Sequence, residues 1–154
     1  MTSSIVMHGI DTTFLVQAEL REVPGHAAAM AWLDQVLTRE QQPAFALAPQ
    51  VLVEFIHVVT DPRRFARPLD MTEAVDRAQH WWEAREVRPL QPGVESTRLM
   101  LQWLRDHRLG RKRLLDTQLA ATYHAAGITR LVTLNQADFA VFGVFTFAVV
   151  ASSS

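Results

Sequence analysis

Short runs of β-branched and aromatic residues alternate along this chain with longer segments whose apolar positions recur every three or four residues. The short runs, Ile5–Ile10, Phe45–Ala48, Glu86–Leu90, Arg130–Thr133 and Val144–Val149, are predicted strands. Residues 26–38 place His26, Met30, Leu33, Val36 and Leu37 at helical spacing. Pro49 suits the first position of a second helix, which carries Val51, Leu52, Phe55, Ile56 and Val59 until "TDPRR" stops it. "DMTEAVDRAQHWWEA" begins on a capping signal at Asp70 or Thr72. Residues 94–109 repeat apolar positions at Val94, Leu99, Leu101, Trp103 and Leu104, and Gly110 follows as the expected stop. Residues 114–126 form an Ala-rich helix that Asp116 opens and Gly127 follows.

Strand–helix alternation over the whole length predicts an α/β fold: three layers, α/β/α, around a mostly parallel central sheet of about five strands. One domain is expected over residues 1–150, with "ASSS" at 151–154 a short disordered tail. Sheets of this class gather their sites at the carboxyl ends of the strands, near a topological switch point. The pair Trp81–Trp82 and Trp103 read as packing residues rather than a base-stacking platform.

Composition narrows the class. Aliphatic and aromatic residues make up 49% of the chain and charged residues 20%, which is too apolar for disorder. No apolar stretch approaches the ~20 residues of a membrane span. "MTSSIVMHGID" has no basic n-region or cleavage pattern, so a first strand rather than a signal peptide is expected there. With no cysteine there is neither a disulfide framework nor a thiolate metal site. A cytoplasmic, soluble protein is the expectation.

Net charge is −1, so the chain as a whole does not advertise a polyanionic partner; its distribution says more. Of 15 basic residues 14 are Arg, and five basic residues fall in one stretch: Arg105, Arg108, Arg111, Lys112 and Arg113. Arg63, Arg64 and Arg67 form a second group. Guanidinium groups match phosphate oxygens in a fork geometry, but a solvated helix end would also carry such residues.

Four acids follow four separate segments. Asp11 ends the first predicted strand, Glu54 lies one turn past Pro49, Asp116 opens the late helix, and Asp138 follows "RLVT". None has an obvious salt-bridge partner at i±3 or i±4. Asp116 alone could be a simple helix-start residue, since Asp suits the positive end of the helix dipole. Gathered carboxylates repel unless protonated or bound to a cation. Hard oxygen donors without Cys or a His pair suit Mg²⁺ or Mn²⁺, and Zn²⁺ less well. His8, His57, His80, His107 and His124 do not fall at ligand spacing and read as ordinary surface or helix residues.

"IDTTFLV", "PQVLVEFIHVVTDPRRF" and "LLDTQLAATYHAAGITRLVTLNQADF" together resemble, in order and separation, the segments of PIN-domain ribonucleases. The nearest resemblance is to the VapC toxins of bacterial type II toxin–antitoxin pairs, and it covers nearly the whole chain. It implies a Mg²⁺- or Mn²⁺-dependent endoribonuclease with Asp11, Glu54, Asp116 and Asp138 as catalytic metal-site acids. Thr13, Thr133 and Asn135 would be supporting polar groups. Thr13 departs from the Asn or Ser usual at that position, which predicts reduced support for the first acid. Asp138 is the least fixed acid in this family, so Asn135 could lie closer to the metal. Arg108, Arg111, Lys112 and Arg113 would face the RNA. The resemblance further implies a cognate antitoxin and a homodimer.

Other readings fare less well. A haloacid-dehalogenase-like phosphatase needs a second Asp where Thr13 stands, and a late lysine; the only Lys is Lys112. A phospho-receiver domain lacks its acidic pair, a dinucleotide-binding module its Gly-rich turn, and a serine hydrolase its G-x-S-x-G elbow. The rival from another class is a non-catalytic PIN-like module that binds RNA or protein, and the full set of four acids argues against it.

Overall fold

The computed structural model describes residues 6–39 and 43–150. Ile5 and the predicted tail at 151–154 lie outside the described residues. The five strands are shorter than the apolar runs that announce them: β1 His8–Ile10, β2 Phe45–Leu47, β3 Val87–Pro89, β4 Arg130–Val132 and β5 Thr146–Phe147. Residues that flank the ladders, such as Ala48 and Leu90, are still buried but already turn towards the next helix. Hydrophobicity marks burial, and burial extends past pairing. Every neighbouring pair is parallel, in the order β3-β2-β1-β4-β5, so the sheet is parallel throughout rather than mostly so.

The helices are α1 Thr12–Glu19, α2 His26–Leu37, α3 Pro49–Val59, α4 Met71–Glu83, α5 Val94–Asp106, α6 Leu114–Ala125 and α7 Gln136–Ala140, with one 3-10 turn at Arg111–Arg113. Contacts sort them into two groups: α1 packs on α2 and α3, and α3 on α4, while α6 packs on α5 and α7. Two groups around one sheet make the three-layer arrangement. The chain winds outward from β1 to β3 and then returns to the other side of β1, so the switch point lies between β1 and β4. No described helix is long and apolar enough to cross a membrane.

Local signals account for most boundaries. Pro49 takes the first position of α3, and Asp70, not Thr72, caps α4 by accepting the Glu73 N–H at 2.8 Å. Helices α1 and α7 have 8 and 5 residues, too short for a 3.6-residue period to announce. Helix α5 ends at Asp106, and Gly110 is not its stop. Arg108 takes the left-handed backbone (φ 52°), with its N–H on the Arg105 carbonyl and the Leu109 N–H on that of Leu104. A left-handed non-glycine residue costs about 1–3 kcal/mol, which the closed Schellman turn offsets. Of the apolar positions expected on α5, only Trp103 is buried, stacked on Phe142; Val94 and Leu101 are exposed.

The core holds Phe14, Phe45, Phe55, Ile10, Leu47, Val51 and Val132 among its fully buried side chains. His8 is a correction to the surface reading of the histidines. It lies on β1, buried edge-on against Trp32, and burial followed by the nearby Arg130 lowers its pKa to about 4. Neutral imidazole is the form a core tolerates. Gly9 permits the close seating of α6, since a Cβ there would meet Leu131 at 2.8 Å and the Tyr123 ring at 3.1 Å.

Candidate active site

Asp11 is the residue just after β1, at the N-cap position of α1, in an extended conformation. Its carboxylate makes no capping bond. Instead Oδ2 accepts the Thr13 hydroxyl at 2.7 Å and the Thr133 hydroxyl at 2.6 Å, from the residue that follows β4. Those hydroxyls are themselves oriented: Thr13 accepts the Leu134 N–H at 3.0 Å and Thr133 the Asn135 N–H at 2.9 Å. Strand ends on either side of the switch point are thus tied through one carboxylate oxygen. Thr13, which stands where the resemblance expects Asn or Ser, supplies a hydroxyl donor to Asp11. Oδ1 receives no hydrogen bond among the described residues, which leaves it for a ligand.

Glu54 lies on α3, half-buried, with Oε2 accepting the Thr12 hydroxyl at 3.1 Å. Asp116 is the third residue of α6 rather than its opener; Arg113 occupies the N-cap position, and no side chain caps this helix. The absence of local partners also fails for Asp116. Arg113 Nε sits 3.5 Å from its Oδ2, three residues away, and the same guanidinium donates to the Asp138 carbonyl. The i−3 spacing was available in the sequence and predicts such a pair. Arg108, Arg111 and Lys112 are exposed, whereas Arg113 is turned inward on the acids.

Asp11, Glu54, Asp116, Thr13 and Asn135 line one cavity of about 610 Å³ at the switch point. Asp138 is half-buried in the first turn of α7 and is not among the lining residues, although its charge reaches Asp116. Burial, and then the charges of Asp11 and Asp138, push the Asp116 carboxyl above its ordinary range, against the pull of Arg113. Burial likewise raises Glu54, offset in part by Thr12 and reinforced by Asp11 and Asp116. Asp116 and Glu54 are therefore held where their negative charge is disfavoured.

Among the described residues no three His, Cys, Asp or Glu side chains come close enough to hold an ion between them. Asp11, Glu54 and Asp116 line a shared cavity rather than a closed coordination shell. A cation there would be held by Asp11, Glu54 and Asp116, whose oxygens are hard donors.

Sequence reasoning missed two groups of residues here. Glu22, Val23 and Pro24 from the loop after α1 and Phe65 from the loop after α3 line the same cavity with no local pattern to mark them, and so does Arg64, which the sequence marks only as one of a basic group. Tyr123 did carry a signal: it lies two helical turns after Asp116, on the same side of α6. Its hydroxyl donates to the Ile10 carbonyl, beside Asp11, and the Ala48 N–H, at the head of α3, lies 3.4 Å away. One phenol thus joins the ends of β1 and β2 beneath the acids, and complete burial pushes its pKa up, so it stays a donor. Tyr123→Phe is expected to destabilise the protein by about 1–3 kcal/mol, since the buried Ile10 carbonyl loses that donor. A urea unfolding curve with an unchanged midpoint would show that the bond contributes nothing.

No family profile matches the chain. A search of curated proteins finds Ribonuclease VapC24 of Mycobacterium tuberculosis, 31% identical over 144 residues that cover 89% of this chain and 92% of that protein. Among solved structures, Mycobacterium tuberculosis VapC20, described as a sarcin-ricin loop cleaving toxin, superposes with a TM-score of 0.60 at 19% identity, covering 80% of this chain and 85% of that one. A toxin-antitoxin complex from Klebsiella pneumoniae superposes with a TM-score of 0.61 at 14% identity, covering 95% and 99%. The structural likenesses speak to the fold, and the sequence likeness covers 89% of this chain. On that likeness the chain belongs to the VapC family of PIN-domain ribonucleases.

Proposed function

We propose that this protein is an endoribonuclease toxin that cuts the phosphodiester backbone of cellular RNA, with Mg²⁺ or Mn²⁺ as its cofactor. The observation that carries this reading is the convergence of Asp11, Glu54 and Asp116, from three separate segments, on one cavity at the switch point. Asp11 and Asp116 are the direct ligands in this proposal. Glu54 is a ligand or the base that orients water, and Asp138 a ligand or a group that supports Asp116. A divalent cation bound there supplies Lewis-acid activation of water and neutralises charge developing on the phosphodiester.

The chain's own residues prepare that chemistry. Thr13 and Thr133 fix the Asp11 carboxylate so that only one oxygen is offered outward. Thr12 holds Glu54 in the same way. Arg113 holds Asp116 and the first turn of α7 in register before a cation binds. Arg108, Arg111 and Lys112, exposed on the approach to α6, supply the positive surface for the RNA backbone.

The fold shared with a toxin-antitoxin complex supports a cognate antitoxin that closes the cavity, and a homodimer is part of the same proposal. A cytoplasmic location follows from an RNA substrate. The decisive experiment incubates the purified chain with total RNA and maps new 5′ ends. Cleavage at defined sites with millimolar Mg²⁺ or Mn²⁺, abolished by EDTA, is expected. RNA left intact in metal would favour the non-catalytic module, and cleavage that survives EDTA would remove the metal from the reaction.

A further inference from the structure

The acids occupy only part of their cavity. The loop between α3 and α4, residues 60–70, supplies Arg64 and Phe65 to the same space, together with Val23 and Pro24 from the loop after α1. This is the second arginine group of the sequence, and the chemistry described so far makes no use of it.

The loop is built to hold a shape. Asp61 Oδ1 accepts the Arg63 N–H at 2.9 Å, and the Arg64 and Phe65 N–H groups turn back to the Asp61 carbonyl at 3.1 and 3.3 Å. Arg64 Nε lies 3.5 Å from Asp61 Oδ2, and the Leu69 N–H closes the base of the loop on Val59 at 2.9 Å. Phe65 is half-buried and packs against the core, so its ring is placed rather than free. Arg64 keeps 58% of its side chain exposed.

We propose that Phe65 and Arg64 form a nucleotide subsite beside the acids, where an unpaired base of the RNA stacks on the Phe65 ring and a neighbouring phosphate meets Arg64. The inference rests on the ribonuclease reading. An aromatic face beside a guanidinium is the combination that single-stranded nucleic acid uses, since every base offers a π-face and every linkage a charge. Charge also selects the occupant. Arg64 lines the cavity, and the loop's three arginines outnumber their partner Asp61, so the loop draws in a polyanion that the acids alone would repel. A cavity of about 610 Å³ holds a nucleotide as well as the metal site.

The subsite sets where the chain cuts, because a base held on Phe65 fixes the phosphate that lies over Asp11. Tests use the full chain and a fluorescein-labelled, mixed-sequence, single-stranded oligoribonucleotide. In an Asp11→Asn background, which keeps the probe intact, Phe65→Leu is expected to weaken binding about tenfold, the loss of one stacked base. Phe65→Trp should restore it, and Arg64→Gln should lower the log–log salt slope by about 0.7. In the active chain, Phe65→Leu should raise KM with kcat little changed and spread the cleavage sites. Wild-type affinity, salt slope and site distribution in both Phe65→Leu and Arg64→Gln would overturn the subsite. So would variants that lose only antitoxin affinity, which would make this loop a protein contact. If the wild type cleaves no RNA yet binds the probe in a Phe65-dependent way, the subsite stands and the ribonuclease reading falls. Should Phe65→Leu prove unfolded by circular dichroism, Phe65→Trp and the exposed Arg64→Gln still decide the matter.

Discussion

Asp11→Asn is expected to leave a folded protein that has lost RNA cleavage by several orders of magnitude. The fold should survive because the amide oxygen of Asn can accept the same two hydroxyls, from Thr13 and Thr133, that the carboxylate accepts. What disappears is the anion. An amide oxygen is a poor ligand for a hard divalent cation, and without the cation neither water activation nor phosphate neutralisation is available. Thr133→Val provides the graded control. It removes one donor from Asp11 while keeping the carboxylate, and loss of such a supporting bond costs about 10–100-fold in metal affinity or activity. Steady-state cleavage of one RNA by the three proteins, with circular dichroism as a fold check, measures the series. Comparable activity in wild type and Asp11→Asn would remove Asp11 from the centre of the chemistry.

Metal removal should reverse the stability order of wild type and Asp116→Asn. The carboxyls of Asp116 and Glu54 are both pushed up, first by burial and also by neighbouring acids, with Arg113 compensating in part at Asp116 and Thr12 at Glu54. A raised folded-state pKa means that the folded protein holds protons the unfolded chain has already released. Stability of the metal-free protein therefore falls as pH rises through the ordinary values, 3.8 for Asp116 and 4.5 for Glu54, and the loss is complete above the raised ones. At pH 7 and in EDTA, Asp116→Asn is thus expected to melt above wild type, by about 2–4 °C for each kcal/mol of repulsion relieved. Millimolar Mg²⁺ or Mn²⁺ should then lift the wild type more than the variant, by about 2.7 kcal/mol at a hundredfold excess over Kd. The variant also leaves Arg113 without its carboxylate, which works against the gain. If Asp116→Asn melts below wild type in EDTA and metal stabilises both equally, Asp116 is an ordinary first-turn acid held by Arg113.

Pattern and spacing were enough for the strand–helix alternation, the proline start of α3 and a capping signal at the head of α4, which the structure assigns to Asp70 rather than Thr72. Each depends on interactions within a few residues or on a period that a single segment carries. Tertiary structure alone decided the rest, because it involves residues brought together across the sheet. Periodicity cannot say that β1 lies between β2 and β4, and it is this order that sets Thr133 against Asp11, 122 positions away. The separation of Asp138 from the cavity, the Tyr123 hydroxyl between two strand ends, and the meeting of Phe65 with the acids are likewise long-range. Arg113 stands between these cases. Its three-residue spacing from Asp116 was visible in the chain, but only the packing of α7 on α6 turned it inward to the Asp138 carbonyl. Local free energies choose helices, strands and caps; which side chains share a cavity is chosen by how those elements bury their apolar faces together.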